Sequence, residues 1–329
     1  MLELGLGYAQ IIVEKSKHAA QELTEKDTNI KRFGVRGFKQ TASLEKTLKL
    51  ATDAGMTWTR LELHWDLIEP EKGKYQWQEF DKTLADILGK KLKVVITIRS
   101  YSKWASKKAK LTTPKKKDWL KHKASALPDK DNIDSYRKFI KELIERYDGD
   151  DNFGTVSKPP EIKIREVIIR NPVKHWQIEN EPGRDAEEGS GFWNGTAREL
   201  AELFMIASKE IKEADAEAKI FPAGFPAGGV LACKKPKCFL RIFLQELRNM
   251  NGEFDIFDIH NFDDVETINE QISIVKNILK QYGFEKKDIW ITALDFNWRQ
   301  LRLGISKDEY NRIRSVDLVK KYVKAFGNG

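Results

Sequence analysis

Long apolar runs are missing from this chain. Its 329 residues contain no stretch of about 18 consecutive apolar residues, so no segment reads as a membrane-spanning helix. A secretion signal is missing too: Met1-Leu2-Glu3-Leu4-Gly5 offers no basic opening followed by an apolar stretch. A secreted protein whose signal has been removed reads the same way, so the compartment stays open. Cysteine is scarce. Cys233 and Cys238, in Cys-Lys-Lys-Pro-Lys-Cys, are the only two. They read as free or incidentally paired loop thiols, with a small loop disulfide as the other reading. A four-ligand zinc site would need further ligands that the neighbouring sequence lacks, so no metal and no cofactor is expected. Acids are nearly absent from residues 101–123, where nine lysines face the single Asp118. That stretch alone accounts for the net charge of +8, and the rest of the chain is balanced.

What is present suits a globular protein: 40% apolar and 10% aromatic residues. Residues 8–25 read as an amphipathic helix carrying Ile11, Ile12, Val13 and Leu23. Strands are expected over 32–37, 56–63, 92–98, 173–178, 218–223, 254–260 and 288–292. Helices are expected over 43–54, 80–89, 134–147, 196–214, 239–250, 265–282 and 307–326. Leu92 to Ile98, nearly all apolar, fits a strand buried on both faces of a parallel sheet. A long polar connection separates residues 147 and 173.

This strand–helix alternation, repeated seven times, means a parallel sheet with helical crossovers. Seven units favour a closed barrel, so the expected fold is α/β, a (β/α)8 TIM barrel. The eighth strand is not evident. The expected organisation is an N-terminal helical segment, 1–31, and a barrel, 32–329, with a lysine-rich insertion at 101–133.

The richest stretch is His175-Trp176-Gln177-Ile178-Glu179-Asn180-Glu181-Pro182. A β-branched and aromatic run leads into Asn-Glu-Pro, which puts a carboxyl group and an amide at the C-terminal tip of a strand. In a parallel barrel that tip is where chemistry is done. A retaining glycosidase needs two carboxyl groups about 5–5.5 Å apart, one to protonate the leaving oxygen and one to attack the anomeric carbon. Strand order places Glu181 after the fourth strand and residue 293 after the seventh, which suits a facing pair.

These residues resemble clan A of the glycoside hydrolases, the (β/α)8 superfamily that contains cellulases, mannanases, β-xylosidases and β-galactosidases. Asn180-Glu181-Pro182 is similar to the clan's acid/base motif, and Arg60 to an arginine that steadies the nucleophile. Trp65 with Glu69-Pro70, Gly73 and Tyr75 looks like a loop seen in many members. His260-Asn261-Phe262 resembles a His-x-Tyr at the sixth strand, with Phe262 in place of tyrosine. Trp290-Ile291-Thr292 resembles the run before the nucleophile. The likeness covers residues 32–326 and implies a retaining hydrolase of β-linked oligo- or polysaccharide. Glu181 would be acid and then base. Arg60, Asn180 and His260 would support the sugar, with Asn180 donating to a hydroxyl beside the reacting carbon.

The departure is Ala293, where the pattern demands glutamate. Alanine cannot attack a sugar. The chain then reads as an inactivated variant, or as a pseudoenzyme that binds glycans without cleaving them. Asp295, two residues on, offers a lesser route to a carboxylate. A neighbouring carboxylate would raise the Glu181 pKa by like-charge repulsion, and with Ala293 that repulsion is lost.

Trp65, Trp104, Trp193 and Trp298 are candidate sugar platforms or core residues. His64 and His175 read as packed or solvated. Asp148-Gly149-Asp150-Asp151-Asn152 resembles a calcium loop only in its alternating oxygens, and reads as a solvated turn. The lysine stretch, with Tyr101, Trp104 and Trp119, follows the third strand and suits an anionic glycan or a solvated surface. Nothing else reads as a nucleic-acid module. Oligomeric state is not legible.

Overall fold

The computed structural model describes residues 34–36, 44–112, 122–150, 159, 161–183, 191–295 and 305–327. The helix expected over 8–25, most of the central lysine cluster and Trp298 lie outside them.

Strands and helices alternate as the apolar periodicity requires. The order is β1 (Gly34–Arg36), α1 (Leu44–Asp53), β2 (Trp58–His64), α2 (Trp65–Ile68), α3 (Gln78–Gly89) and β3 (Lys93–Arg99). Next come β4 (Lys110–Thr112), β5 (His122–Ala124), α4 (Ile133–Tyr147), α5 (Ile162–Arg170), β6 (His175–Ile178), α6 (Ala197–Ala214) and β7 (Lys219–Phe221). The rest is β8 (Phe225–Pro226), α7 (Ala227–Leu231), α8 (Phe239–Asn249), β9 (Ile256–Asn261), α9 (Thr267–Gln281), β10 (Asp288–Leu294) and α10 (Lys307–Phe326).

One sheet runs β1-β2-β3-β6-β7 and another β10-β9-β8, all neighbours parallel. Asp255 N donates to the Ile220 carbonyl at 2.9 Å, and Ile220 N returns a 2.9 Å bond to the Asp255 carboxylate. That pair ties β7 to the foot of β9, while β10 comes against β1. The strands therefore follow chain order around a ring, with helices outside. No strand stands between β10 and β1 among the described residues.

Helices α1, α3, α4, α6, α8 and α9 each bury one face. On α4 the buried residues Tyr136, Phe139, Ile140, Leu143 and Ile144 recur at helical spacing and pack on the strands. Inside the ring, the strand N-termini are plugged. His175 stacks on Trp290 and Trp58 meets both edge-on, with ring centroids 4.8–5.7 Å apart, over Val95, Phe221 and Ile256. A blocked floor leaves the C-terminal rim as the open end.

His175 sits in that plug as a neutral base. Burial, with Lys93 and Lys219 nearby, lowers its pKa to about 4. The unfolded chain, with an ordinary histidine, binds the proton first as pH falls. Stability carried by His175 should therefore be full above pH 6.5 and lost between about 6.5 and 4. Thermal midpoints should fall across that window, less steeply in His175→Phe.

Three features depart from expectation. The connection before β6 holds a helix, α5, whose nine residues bury only Ile164 and Ile168. The lysine-rich insertion forms an antiparallel hairpin, β4 with β5. Cys233 and Cys238 are joined in a disulfide, so they are not free thiols. Closing so short a loop contributes about 2 kcal/mol on chain-entropy grounds, and a Cys233→Ser/Cys238→Ser protein should lose about that much in urea unfolding.

Candidate active site

Alternation along the strands decides what enters the ring. Above the aromatic floor lies a polar layer: Arg60 from β2, Thr97 from β3, Gln177 from β6, Asp258 from β9 and Thr292 from β10. Arg60 Nε donates to Thr97 Oγ1 at 2.7 Å and to Gln177 Oε1 at 3.0 Å. Gln177 Nε2 donates to Asp258 Oδ2 at 2.5 Å. The backbone N–H and hydroxyl of Thr292 donate to Asp258 at 2.9 and 2.6 Å. A buried carboxylate is tolerated because charged and polar donors surround it.

Beyond this layer the tip of β6 turns sharply. Glu179 and Glu181 both have positive φ, 71° and 42°, a region that non-glycine residues rarely occupy. The neighbours hold them there. Glu179 N donates to the Ile98 carbonyl and Glu181 N to the Gly224 carbonyl. The Glu179 side chain is fully buried and receives Arg99 Nε at 2.9 Å, Ser100 N at 2.5 Å and Ser100 Oγ at 2.7 Å. Strain held this firmly tends to mark functional positions.

Between these two glutamates, Asn180 accepts from Arg60 Nη2 at 2.5 Å through Oδ1. The guanidinium thereby fixes the amide orientation, and the buried Nδ2 makes no hydrogen bond among the described residues. Glu181 Oε1 lies 2.9 Å from His260 Nδ1, and His260 Nε2 lies 3.1 Å from Asp258 Oδ2. Burial disfavours the His260 imidazolium, but Asp258 and the bond to Glu181 outweigh it and raise its pKa. Burial likewise penalises the Asp258 carboxylate, yet His260, Arg60 and Thr292 leave its pKa below the usual range.

Gly224 makes room for this arrangement. A Cβ there would stand 2.1 Å from His260 Nε2 and 2.7 Å from Asp258 Oδ2. Gly224→Ala should displace His260 and cost about 1–3 kcal/mol or more, read by urea unfolding. A variant of unchanged stability would contradict the close approach.

The seventh strand of the ring brings position 293 to the same place by a β-bulge. Pairing steps from Ile291 with Ile259 to Ala293 with His260, so Thr292 is the extra residue. Thr292 reaches Asp258, and Ala293, almost wholly buried, lies beside His260. Glu181 and Ala293 thus flank one histidine. Asp295 does not join them: it forms a two-bond pair with Arg314 of α10 at 2.9 and 3.0 Å. β10 ends at Leu294, so Asp295 lies past the strand and outside its alternation.

Of the two readings open for the tryptophans, the structure gives Trp65 and Trp193 the core one. Trp65 has no exposed surface: it packs on Trp104, Tyr136 and Phe139, and its Nε1 donates to Glu69 at 2.7 Å. Glu69 also accepts from Gly73 N, so the Trp-Glu-Gly motif is a clasp for the loop after β2 and not a sugar platform. Trp193 is core as well. Trp104 is half-buried, its Nε1 donating to the Glu69 carbonyl, which leaves only part of its ring for a ligand. Trp298 lies outside the described residues. Of the insertion lysines, Lys103, Lys107, Lys108 and Lys110 are exposed, Lys108 pairs with Glu199, and Lys123 pairs with Asp66.

Sequence reasoning missed Asp258 and Glu179. Its available signal was the inward parity that Asp258 shares with His260, in a strand whose residues 256, 257 and 259 are apolar. Among the described residues, no cluster of His, Cys, Asp and Glu is arranged to hold a metal ion, and no helix is long and apolar enough to cross a membrane.

The family model Glyco_hydro_42, described as β-galactosidase, matches residues 39–190. No curated protein matches the chain. Among solved structures, a glucosidase from Croceicoccus marinus aligns with TM-score 0.58 at 14% identity, over 85% of this chain and 55% of its own. A family 39 glycoside hydrolase from Bacteroides cellulosilyticus aligns with TM-score 0.56 at 15% identity, over 90% and 54%. An intracellular xylanase from Thermoanaerobacterium saccharolyticum aligns with TM-score 0.58 at 13% identity, over 93% and 85%. The chain spans about half the length of the first two. These structures share the TIM-barrel fold with this chain. Residues 39–190 are thus similar to the Glyco_hydro_42 family, and the chain as a whole shares the fold of these glycoside hydrolase structures.

Proposed function

We propose that this barrel binds β-linked oligo- or polysaccharide at its C-terminal rim, and that its chemistry is retaining glycoside hydrolysis through a glycosyl-enzyme intermediate. The observation that supports the reading is that Glu181 Oε1 lies 2.9 Å from His260 Nδ1 while position 293 pairs with His260 in the strand register. Glu181 protonates the leaving oxygen and then activates the acceptor water. A carboxylate at 293 would attack the anomeric carbon, and Ala293 removes that step. Asn180 Nδ2 donates to a sugar hydroxyl, a contact that strengthens as positive charge develops on the ring. Arg60 orients Asn180. The exposed lysines of the insertion favour a glycan that carries negative charge, so binding should weaken as salt rises.

Ala293 also favours a second reading: a glycan-binding barrel with no turnover even when the carboxylate is supplied. Isothermal titration with β-glucan, xylan and galactan fragments, before and after Ala293→Glu, separates the two. Binding in both forms with turnover only in the glutamate form supports the hydrolase. Binding with no turnover in either supports the second reading, and absence of any glycan binding sinks both.

A further inference from the structure

Asp258 and His260 are buried, lie outside the carboxylate pair, and are fixed by a set of contacts that determines where their protons sit. His260 Nε2 faces two oxygens: Asp258 Oδ2 at 3.1 Å and Thr292 Oγ1 at 3.3 Å. The Thr292 hydroxyl donates its single proton to Asp258 at 2.6 Å. Asp258, with Gln177 and Thr292 all donating to it, is a carboxylate and has no proton to give. Both neighbours of Nε2 are therefore acceptors, and Nε2 carries hydrogen. Among the described residues Nδ1 then has one partner, Glu181 Oε1 at 2.9 Å. That contact exists in two forms: a carboxylic acid donating to a neutral imidazole, or an imidazolium donating to a carboxylate.

We propose that Asp258 is a positioning residue that acts through His260. It pins a proton on Nε2 so that Nδ1 shares a second proton with Glu181, and the Glu181–His260 pair gives and recovers the proton at the cleft. The proposal rests on reading Glu181 as the acid and base of this site. The proton passes between Oε1 and Nδ1, and no other bond changes. When Glu181 has lost it, the imidazolium faces two carboxylates, Asp258 from its own strand and Glu181 from the tip of β6. The Arg60 guanidinium of β2 opposes that charge, and Thr292 of β10 contributes only a dipole. The raised His260 pKa is what two flanking carboxylates would produce against burial. Gly224 belongs to the same device, since any side chain there would occupy the Nε2 position.

Nitrogen-15 NMR of the histidine-labelled protein tests this without any sugar. His260 is assigned by loss of its signal in His260→Gln. Nε2 should remain protonated at every pH, with Nδ1 alone titrating. In Glu181→Gln, which alters a partly exposed residue and should fold, the His260 midpoint should fall by about one pH unit or more, and in Asp258→Asn by at least as much. Folding of each variant is checked by its thermal transition. An unchanged midpoint in folded Glu181→Gln, or an unprotonated Nε2 in the parent, overturns the proposal. In the Ala293→Glu background, Asp258→Asn should move the pKa that limits activity at high pH. Turnover with an unchanged His260 midpoint would leave the hydrolase reading standing and sink this one. A shifted midpoint in a protein that binds no glycan would do the reverse.

Discussion

Ala293→Glu is expected to raise kcat on aryl β-glycosides by on the order of 10⁶, the scale of loss when a hydrolase is stripped of its nucleophile. The bulge in β10 sets residue 293 beside His260, with Glu181 on the other side. The new carboxylate would stand beside His260, which contacts to Glu181 and Asp258 already hold in place. Proton NMR of the released sugar should show the anomer of the substrate retained. A second glutamate within reach of Glu181 should also raise its pKa, so the activity profile should extend further towards neutral pH than the carboxyl group alone would allow. Adding Glu181→Gln should abolish the gain for substrates with poor leaving groups. A folded Ala293→Glu protein that binds β-glycans yet turns none over would refute the retaining mechanism.

Arg99→Met is expected to be the most destabilising single change near the site, by about 3–5 kcal/mol. Arg99 and Glu179 have almost no exposed surface, and the guanidinium also donates to the Lys123 and Phe192 carbonyls. Removing it strands a buried carboxylate at a position where the backbone is already strained. The partner change Glu179→Gln neutralises that carboxylate while keeping its length, so the double variant Arg99→Met/Glu179→Gln should recover part of the loss. Urea unfolding of the four proteins gives the coupling energy. A loss for Arg99→Met below about 1 kcal/mol would show that the pair is better solvated than its burial indicates.

Much of this was legible from local pattern. The alternation of apolar runs gave the strands and the outer helices, because burial on one or both faces imposes period two or 3.6 wherever it occurs. Asn180-Glu181-Pro182 announced a strand tip, and Arg60 and His260 share the inward parity of their strands. The misses share a different cause. Helix α5 buries two residues in nine, too little apolar surface for a periodic signal. Trp65 looked available because nothing in its neighbourhood of sequence discloses Glu69 folding back on it or α4 covering it. Asp295 looked usable because parity foresees neither the end of the strand at Leu294 nor Arg314 of α10, which takes up its carboxylate.

The amino-acid order by itself determined which faces must be buried, and hence a ring of parallel strands with polar residues gathered at their C-terminal ends. Only the tertiary structure decided how those residues address one another. The chain from Glu181 through His260 to Asp258 runs across two strands and depends on a glycine from a third, and the slot at Ala293 depends on one extra residue in β10. Hydrogen bonds and charges act over a few ångströms in space. The residues that supply them here are separated by tens of positions along the chain, and no local sequence rule spans that gap.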